Sequence, residues 1–192
     1  LQLVSHAKGI SLNEYNGIPG IRDVSGDLVM SQQQLAFELD AEKGMLDLGE
    51  QFLAPLPFDV LQANLLMDFR EADKVIKVEN LNFKSPDIEL GGDVAVYIPE
   101  KGDVSMSLLA SAKNVESFNA KKFFPNQLMG ENLVKYLNNS LQKGRVEQAN
   151  VIFNGELAKF PFGNGEGTFK VDAELVNGEF KFDSEWPAIT SF

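Results

Sequence analysis

The residues that could perform chemistry are few in this sequence and lie far apart. His6 is the one histidine among 192 residues, and the absence of cysteine excludes thiolate nucleophiles, thiolate metal sites and disulfides. A Ser-His-acid triad would depend on His6 alone, and the G-x-S-x-G turn of serine hydrolases does not occur. Catalysis needs titratable groups that converge, so the sequence predicts no catalytic residue.

Two pairs of carboxylates have a spacing that would place both members on one side of a strand. Asp87 with Glu89, and Asp172 with Glu174, are each two residues apart. A metal site needs several carboxylates at one point, and no spacing here matches a calcium-binding loop. The residues between and beside these acids are largely apolar, so we expect the acids to face water. The sequence predicts no metal ligand and no cofactor.

The glycine-rich segment 163–167 has a superficial likeness to a phosphate-binding loop. Such a loop must lead from a strand into a helix N-terminus, where free N–H groups meet the anion. Here the segment leads into the strand-like residues 168–171, and Glu166 would repel phosphate. The segment is therefore predicted to be a turn or bulge.

The elements that would position any site are predicted to be strands. Leu35, Phe37 and Leu39 alternate with more polar neighbours, and the same alternation recurs in four later segments. Strands with one apolar and one polar face are typical of an antiparallel sheet with water on one side. On this pattern alone, the apolar face could also be the inside of an ordinary two-layer sandwich.

Turn signals separate these segments and indicate a meander of about a dozen strands. The signals are 42–44, 85–87, 100–103, 163–165 and Asn177-Gly178, which has the sequence most typical of a tight hairpin. Residues 37–42 are also echoed at 169–174. Repeated strand units favour an elongated architecture over a closed one.

One segment has the period of a helix. Between residues 130 and 143 leucines recur every four positions, and Gly144 stands where a C-terminal cap belongs. We predict one amphipathic helix near residues 130–143, inside an irregular and helical insertion over 113–144. Its apolar side chains are expected to pack over one end or edge of the sheet: Leu133, Val134, Leu137 and Leu141.

Composition narrows the possible partners. The net charge of −11 opposes binding to nucleic acid and electrostatic binding to anionic membranes. No apolar run is long enough to span a membrane, and no signal peptide is visible. The chain begins within a strand pattern and ends without a charged tail, so we interpret residues 1–192 as a single fragment of a longer, repeating β-protein.

An ordered set of short motifs runs along nearly the whole chain and resembles a known family. The motifs are 55–61, 81–83, 86–92, 123–125, the segment 136–146, 155–157, 160–162 and Trp186-Pro187. This succession resembles the AsmA-like (TamB-related) superfamily, and the YhdP family within it.

The resemblance implies a fold, a role and a location. The implied fold is a long, curled antiparallel sheet with an open hydrophobic groove, and the implied role is transport of phospholipid towards the outer membrane. The implied location is the periplasm of Gram-negative bacteria, anchored at the inner membrane by a segment outside these residues. Phospholipid and other segments of the same chain are the implied partners, and no enzymatic activity is implied.

Apolar residues from the alternating segments are the candidates for the groove lining. They are Leu35, Phe37, Leu39, Val94, Val96, Ile98, Met106, Leu108, Phe169, Val171, Phe180 and Phe182. Alternation does not say which of them face lipid and which pack under the helix. Two alternatives to a lipid conduit remain at this point: a structural or assembly module for outer-membrane biogenesis, and an enzyme such as a carboxylate hydrolase.

Overall fold

The computed structural model describes residues 2–13, 20–69, 73–123, 134, 138–139, 141–180 and 189–190. These residues form one antiparallel sheet in which the spatial order of the strands is their order in the sequence. The strands are β1 (Gln2–Leu12), β2 (Gly20–Ser31), β3 (Gln34–Asp47), β4 (Leu56–Asp68), β5 (Lys74–Ser85), β6 (Ile88–Ile98), β7 (Ser105–Glu116), β8 (Leu141–Glu156), β9 (Thr168–Phe180) and β10 (Ile189–Thr190). The predicted antiparallel meander is confirmed, and the described residues contribute ten strands to it.

The sheet is open, with β1 and β10 as its two edges. Three of the predicted turns connect consecutive strands: the turn at 86–87 joins β5 to β6, 99–104 joins β6 to β7, and 157–167 joins β8 to β9. In a meander, alternate connections lie at the same end of the sheet. The connections 32–33, 99–104 and 157–167 therefore share one end, together with residues 69 and 73, which flank the link between β4 and β5.

Two predicted turns are wrong, because both lie inside strands. Lys43 has a φ of 57° within β3, and Asn177 has a φ of 52° within β9 at a shift in register. A left-handed residue followed by glycine has the same local sequence in a hairpin and in a distorted strand. Only the pairing with the neighbouring strand distinguishes the two.

Left-handed residues inside the strands help to curl the sheet. Asp23 in β2 and Asn80 in β5 have φ values of 61° and 56°, and each lies at a register shift. An extra residue on one strand of a pair bends that strand and increases its twist. The backbone N–H of Asn80 is not lost, because it donates to the Asp93 carboxylate at 2.8 Å.

The predicted helix is only partly described, and its C-terminal boundary is wrong. Val134, Asn138 and Asn139 have helical conformation, but Leu141 and Lys143 belong to β8 and pair with β9. Strand pairing satisfies the backbone groups there, so Gly144 is a strand residue and not a helix cap. The predicted insertion 113–144 is correspondingly shorter, because β7 continues to Glu116.

The core lies towards one end of the strands. Its buried apolar residues are Val24, Ala41, Leu56, Phe58, Leu61, Phe83, Ile88, Val115 and Val146. The rings of Phe58 and Phe83 meet edge to face, with centroids 6.2 Å apart. A 3-10 helix at Ser117–Phe123 covers this end, and its Ala120 and Phe123 pack against the core.

Candidate functional site

One face of the sheet carries a row of apolar side chains that crosses eight strands without interruption. Directly paired residues of antiparallel strands lie on the same face, so the register defines the row. The first apolar row, from β2 to β9, consists of Leu28, Phe37, Leu65, Val78, Val94, Leu108, Phe153 and Phe169.

A second apolar row lies beside the first on the same face, two residues further along each strand. From β1 to β7 it consists of Leu3, Met30, Leu35, Met67, Ile76, Val96 and Met106, and it ends at Gly155 of β8. We call the two rows together the apolar strip. At about 4.8 Å per strand, the strip extends about 38 Å across nine strands.

The apolar strip is only partly covered by the protein. Every member from β3 to β7 is half-buried, and Leu3, Met30 and Phe169 are 49%, 41% and 37% exposed. Phe153 is the one fully buried member. Apolar side chains in a packed sandwich would be covered by a second layer. The strip therefore leaves hydrocarbon surface in contact with solvent along its length.

The same face is packed further along the strands. The register joins Ala41, Leu61 and Phe83 in a third line, and all three are at most 5% exposed. This line continues through Leu90, Ala112 and Ala149 to Ala173. The face thus has a packed end, where the curled sheet closes on its core, and an open strip nearer the other end.

The carboxylate of Asp87 holds the 3-10 helix at Ser117–Phe123 in place over the packed end. Asp87, in the turn between β5 and β6, accepts a hydrogen bond from the side-chain amide of Asn119 at 2.8 Å. Its other oxygen accepts from Lys122 Nζ at 2.6 Å. Both donors belong to the 3-10 helix at Ser117–Phe123, so this turn tethers that helix over the core.

An aromatic cluster lies at the β8–β9 end of the strip. Phe153 is 5.1 Å from Phe162 and 5.8 Å from Phe160, centroid to centroid, and Phe160 is 5.2 Å from Phe169. The ring of Phe162 fills the space that a side chain at Gly155 or Gly167 would need. The connection 157–167 therefore folds back over this end of the strip.

The opposite face of the sheet is polar over much of its area. Gln62 donates to Asp40 at 3.1 Å and accepts from Asn82 at 2.8 Å, which links three adjacent strands. Ser107 donates to Asn154 at 3.0 Å in the same manner. This face also carries exposed apolar residues, of which Leu109 is 57% exposed.

The structure places ten of the twelve predicted lining residues on the strip face. Leu35, Val96 and Met106 are in the second row, and Ile98 follows Val96 on that face. Phe37, Val94, Leu108 and Phe169 are in the first row, and Leu39 and Val171 lie one step towards the packed end. Phe180 is a strand residue opposite Leu141, and Phe182 lies outside the described residues.

The structure describes two of the four residues that were predicted to pack from the helix onto the sheet. Val134 is half-buried and has helical conformation, whereas Leu141 is in β8. Leu133 and Leu137 lie outside the described residues.

Sequence reasoning missed several strip residues. Leu65 and Met67 are separated by Leu66, and Val75 precedes Ile76, so both parities are apolar and the alternation is hidden. The register with the clearly alternating β3 and β6 would have identified them, but register is not a local property of the sequence.

The described residues contain no arrangement suited to metal binding, since no group of three or more His, Cys, Asp or Glu side chains could hold an ion. His6 contacts Asp27 at 2.8 Å, and both side chains are more than half exposed. In the part of the chain that the structure describes, no helix has the length and apolar character to cross a membrane.

Comparison with known proteins finds the same family over nearly the whole chain, both with a family model and with a single relative. The model of the YhdP protein family matches residues 1–192. A relative from Escherichia coli (strain K12), named intermembrane phospholipid transporter YhdP, is 25% identical over 182 residues. That alignment covers 95% of this chain and 14% of the relative, so the chain spans only a small part of its length. No solved structure is significantly similar. The chain belongs to the YhdP protein family.

Proposed function

We propose that this chain is one section of a conduit that carries phospholipid between the inner and outer membranes, with acyl chains sliding along the apolar strip. The observation that carries this proposal is the strip itself: two adjacent apolar rows that together cross nine strands and are half-buried from β3 to β7. The rows run perpendicular to the strands, in the direction in which further strands would extend the sheet.

The energetics of lipid movement favour such a surface. Moving an acyl chain of about 15 methylenes through water costs about 12 kcal/mol, at about 0.8 kcal/mol per methylene. An apolar strip of aliphatic and Phe side chains lowers that barrier, while the head group stays in water. The strip carries no charged member from β2 to β9, so it offers no polar anchor that would trap cargo at one point.

The proposal includes a location and partners. The E. coli relative is named an intermembrane transporter, which supports the periplasm as the compartment of this chain. We propose that the membrane anchor and the continuation of the strip are supplied by other segments of a longer chain. The proposed role is transport without chemistry, so no catalytic residue is assigned.

Two adjacent leucines provide a matched test. Leu108 lies in the strip, and Leu109, its neighbour on β7, points to the opposite face and is 57% exposed. We expect Leu108→Asp to lower the amount of phospholipid that co-purifies with the protein by up to about half, measured by native mass spectrometry, and Leu109→Asp to leave it unchanged. A charge on the strip must be desolvated by an acyl chain, whereas a charge on the outer face stays in water.

Circular dichroism and thermal unfolding of both variants serve as controls for the fold. Equal lipid binding by the two folded variants would contradict the conduit. A protein that is free of lipid from the outset would favour the structural or assembly module instead.

A further inference from the structure

The apolar strip is open on both sides of β8 but covered at β8 itself. The strip members of β7 are half-buried, and Phe169 of β9 is 37% exposed. Between them, Phe153 is 3% exposed, because the rings of Phe160 and Phe162 lie against it. An acyl chain that follows the strip across the sheet therefore meets the connection 157–167 at β8.

The ring of Phe162 fills a notch in the strip face. The second apolar row ends at Gly155, and Gly167 is the residue before β9. A Cβ on Gly155 would lie 2.7 Å from the ring, and a Cβ on Gly167 would lie 2.5 Å from it. Neither position can carry a side chain, so Phe162 supplies the apolar surface there. We call the space beside Phe153 and above these two glycines the glycine notch.

The connection 157–167 satisfies much of its own backbone. Three hydrogen bonds of 3.3, 2.8 and 3.1 Å lie wholly inside it, from the N–H groups of Phe160, Phe162 and Gly165 to the carbonyls of Leu157, Lys159 and Phe162 respectively. At its first residue, the N–H of Leu157 donates to the Val104 carbonyl at 2.9 Å, which joins it to the connection between β6 and β7. A rotation hinged at Leu157 would keep all four bonds.

Aromatic contacts hold the far part of this connection against the sheet. Phe160 lies 5.8 Å from Phe153 and 5.2 Å from Phe169, and Phe162 lies 5.1 Å from Phe153, centroid to centroid. An acyl chain can replace these rings without leaving a polar group unpaired, because the contacts are apolar. Without an acyl chain, opening would expose the rings and Phe153 to water, which favours the closed position.

We propose that the glycine notch is an acyl-chain site and that the connection 157–167 is its lid, which an acyl chain on the strip displaces. The inference rests on the proposed function, since it assumes that acyl chains occupy the strip. Once the rings move aside, the acyl chain contacts Phe153 and the notch, and the strip is continuous from β7 to β9. The lid closes this path when lipid is absent.

The test uses vesicles of phosphatidylethanolamine that carries a photoactivatable diazirine near the end of one acyl chain. After incubation with the purified protein and irradiation, mass spectrometry of the digested protein locates the labelled residues. We expect labels on Phe153 or Gly155 as well as on Leu108 of the neighbouring strand. Labels on the strip members of β3 to β7 with none on Phe153 or Gly155 would overturn this inference alone. Absence of label from the whole strip would instead overturn the proposed function.

A variant of the lid tests what holds it closed. At a lipid concentration that labels less than half of the unmodified protein, Phe160→Ala should increase labelling of Phe153 about two- to tenfold, since one set of aromatic contacts is lost. Phe52→Ala is the matched control, because Phe52 is also half-buried but packs against the core at the packed end. It should leave labelling of Phe153 unchanged. Equal labelling in the two folded variants would contradict a lid held by its rings.

Discussion

At the scale of single residues, the aromatic cluster depends on two glycines, Gly155 in β8 and Gly167 just before β9. A Cβ at Gly167 would lie 2.5 Å from the ring of Phe162, and a Cβ at Gly155 would lie 2.7 Å from it. Phe162 is 8% exposed and has a φ of 64°. These glycines are therefore needed for space, because any side chain would displace the buried ring.

Gly167→Ala is expected to destabilise the protein by about 1–3 kcal/mol, the usual cost of overpacking a filled site. The measurement is the free energy of unfolding from urea titration. Gly163→Ala is the matched control, because a Cβ there would have no neighbour within 4 Å. Equal stability of the two variants would show that Phe162 moves aside at little cost.

The turn before β9 contains a carboxylate with a lowered pKa. Glu166 accepts hydrogen bonds from the backbone N–H and the side-chain amide of Asn164 at 3.0 and 3.3 Å. Its pKa is below the ordinary 4.5, chiefly because its own backbone N–H donates to the carboxylate and secondarily because of Asn164. Ionised Glu166 therefore stabilises the folded turn.

The sign of the pH dependence follows from that lowered pKa. The stabilisation by Glu166 is fully present above about pH 4.5 and is lost as the pH falls through the lower folded-state value. The unfolding free energies of the unmodified protein and Glu166→Gln should differ at pH 7 and converge as the pH falls below the lowered folded-state pKa of Glu166. A constant difference down to pH 3 would show that ionisation of Glu166 is not involved.

At the scale of elements, the packed end depends on how the 3-10 helix at Ser117–Phe123 is held. Its apolar contacts come from Ala120 and Phe123, which pack against the core. Its polar contacts are hydrogen bonds that Asn119 and Lys122 donate to Asp87, which lies in a turn more than 30 residues earlier in the chain. The helix is too short to be stable alone, so both sets of contacts are needed to keep it in place.

Asp87→Ala is expected to loosen this helix and to lower stability by about 1 kcal/mol, because two hydrogen bonds to a carboxylate are lost near the surface. Hydrogen exchange should increase within 117–123 and remain unchanged in the central strands. Lys121→Ala, at an exposed neighbouring position, should leave exchange unaltered. If exchange rises equally throughout the sheet, the turn acts on the whole fold and not on this element.

At the scale of the whole molecule, the short sequence echo acquires a structural meaning. Phe37 and Phe169 both lie in the first apolar row, and the register joins Ala41 and Ala173 in the third line, where Ala41 is buried and Ala173 is exposed. The two copies occupy equivalent positions in strands separated by five others. This equivalence fits an extended sheet in which each strand contributes the same set of positions to one continuous surface.

A continuous surface makes a prediction that separates transport from binding. Val94→Asp places a charge in β6, one of the two central strands of the first row, with about half of the strip untouched on either side. We expect transfer between donor and acceptor vesicles to fall at least tenfold, while bound lipid falls by about half or less. The reason is that a charge desolvated by passing hydrocarbon adds a barrier of at least about 1.4 kcal/mol. Proportionate loss of transfer and binding would contradict a serial path.

The sequence by itself determined the strands, their apolar faces and the absence of cysteine chemistry, because adjacent residues of a strand point to opposite faces. That local rule placed ten of twelve predicted residues on one face, and local turn chemistry identified the connections at 86–87, 99–104 and 157–167. Tertiary structure decided the rest. The register placed Leu65 and Ile76 in the strip. Leu141, which was predicted to be helical, pairs with β9 as a strand residue, and the curled sheet buries Phe83 at its packed end. Each of these outcomes depends on contacts between distant segments, which no local pattern of residues specifies.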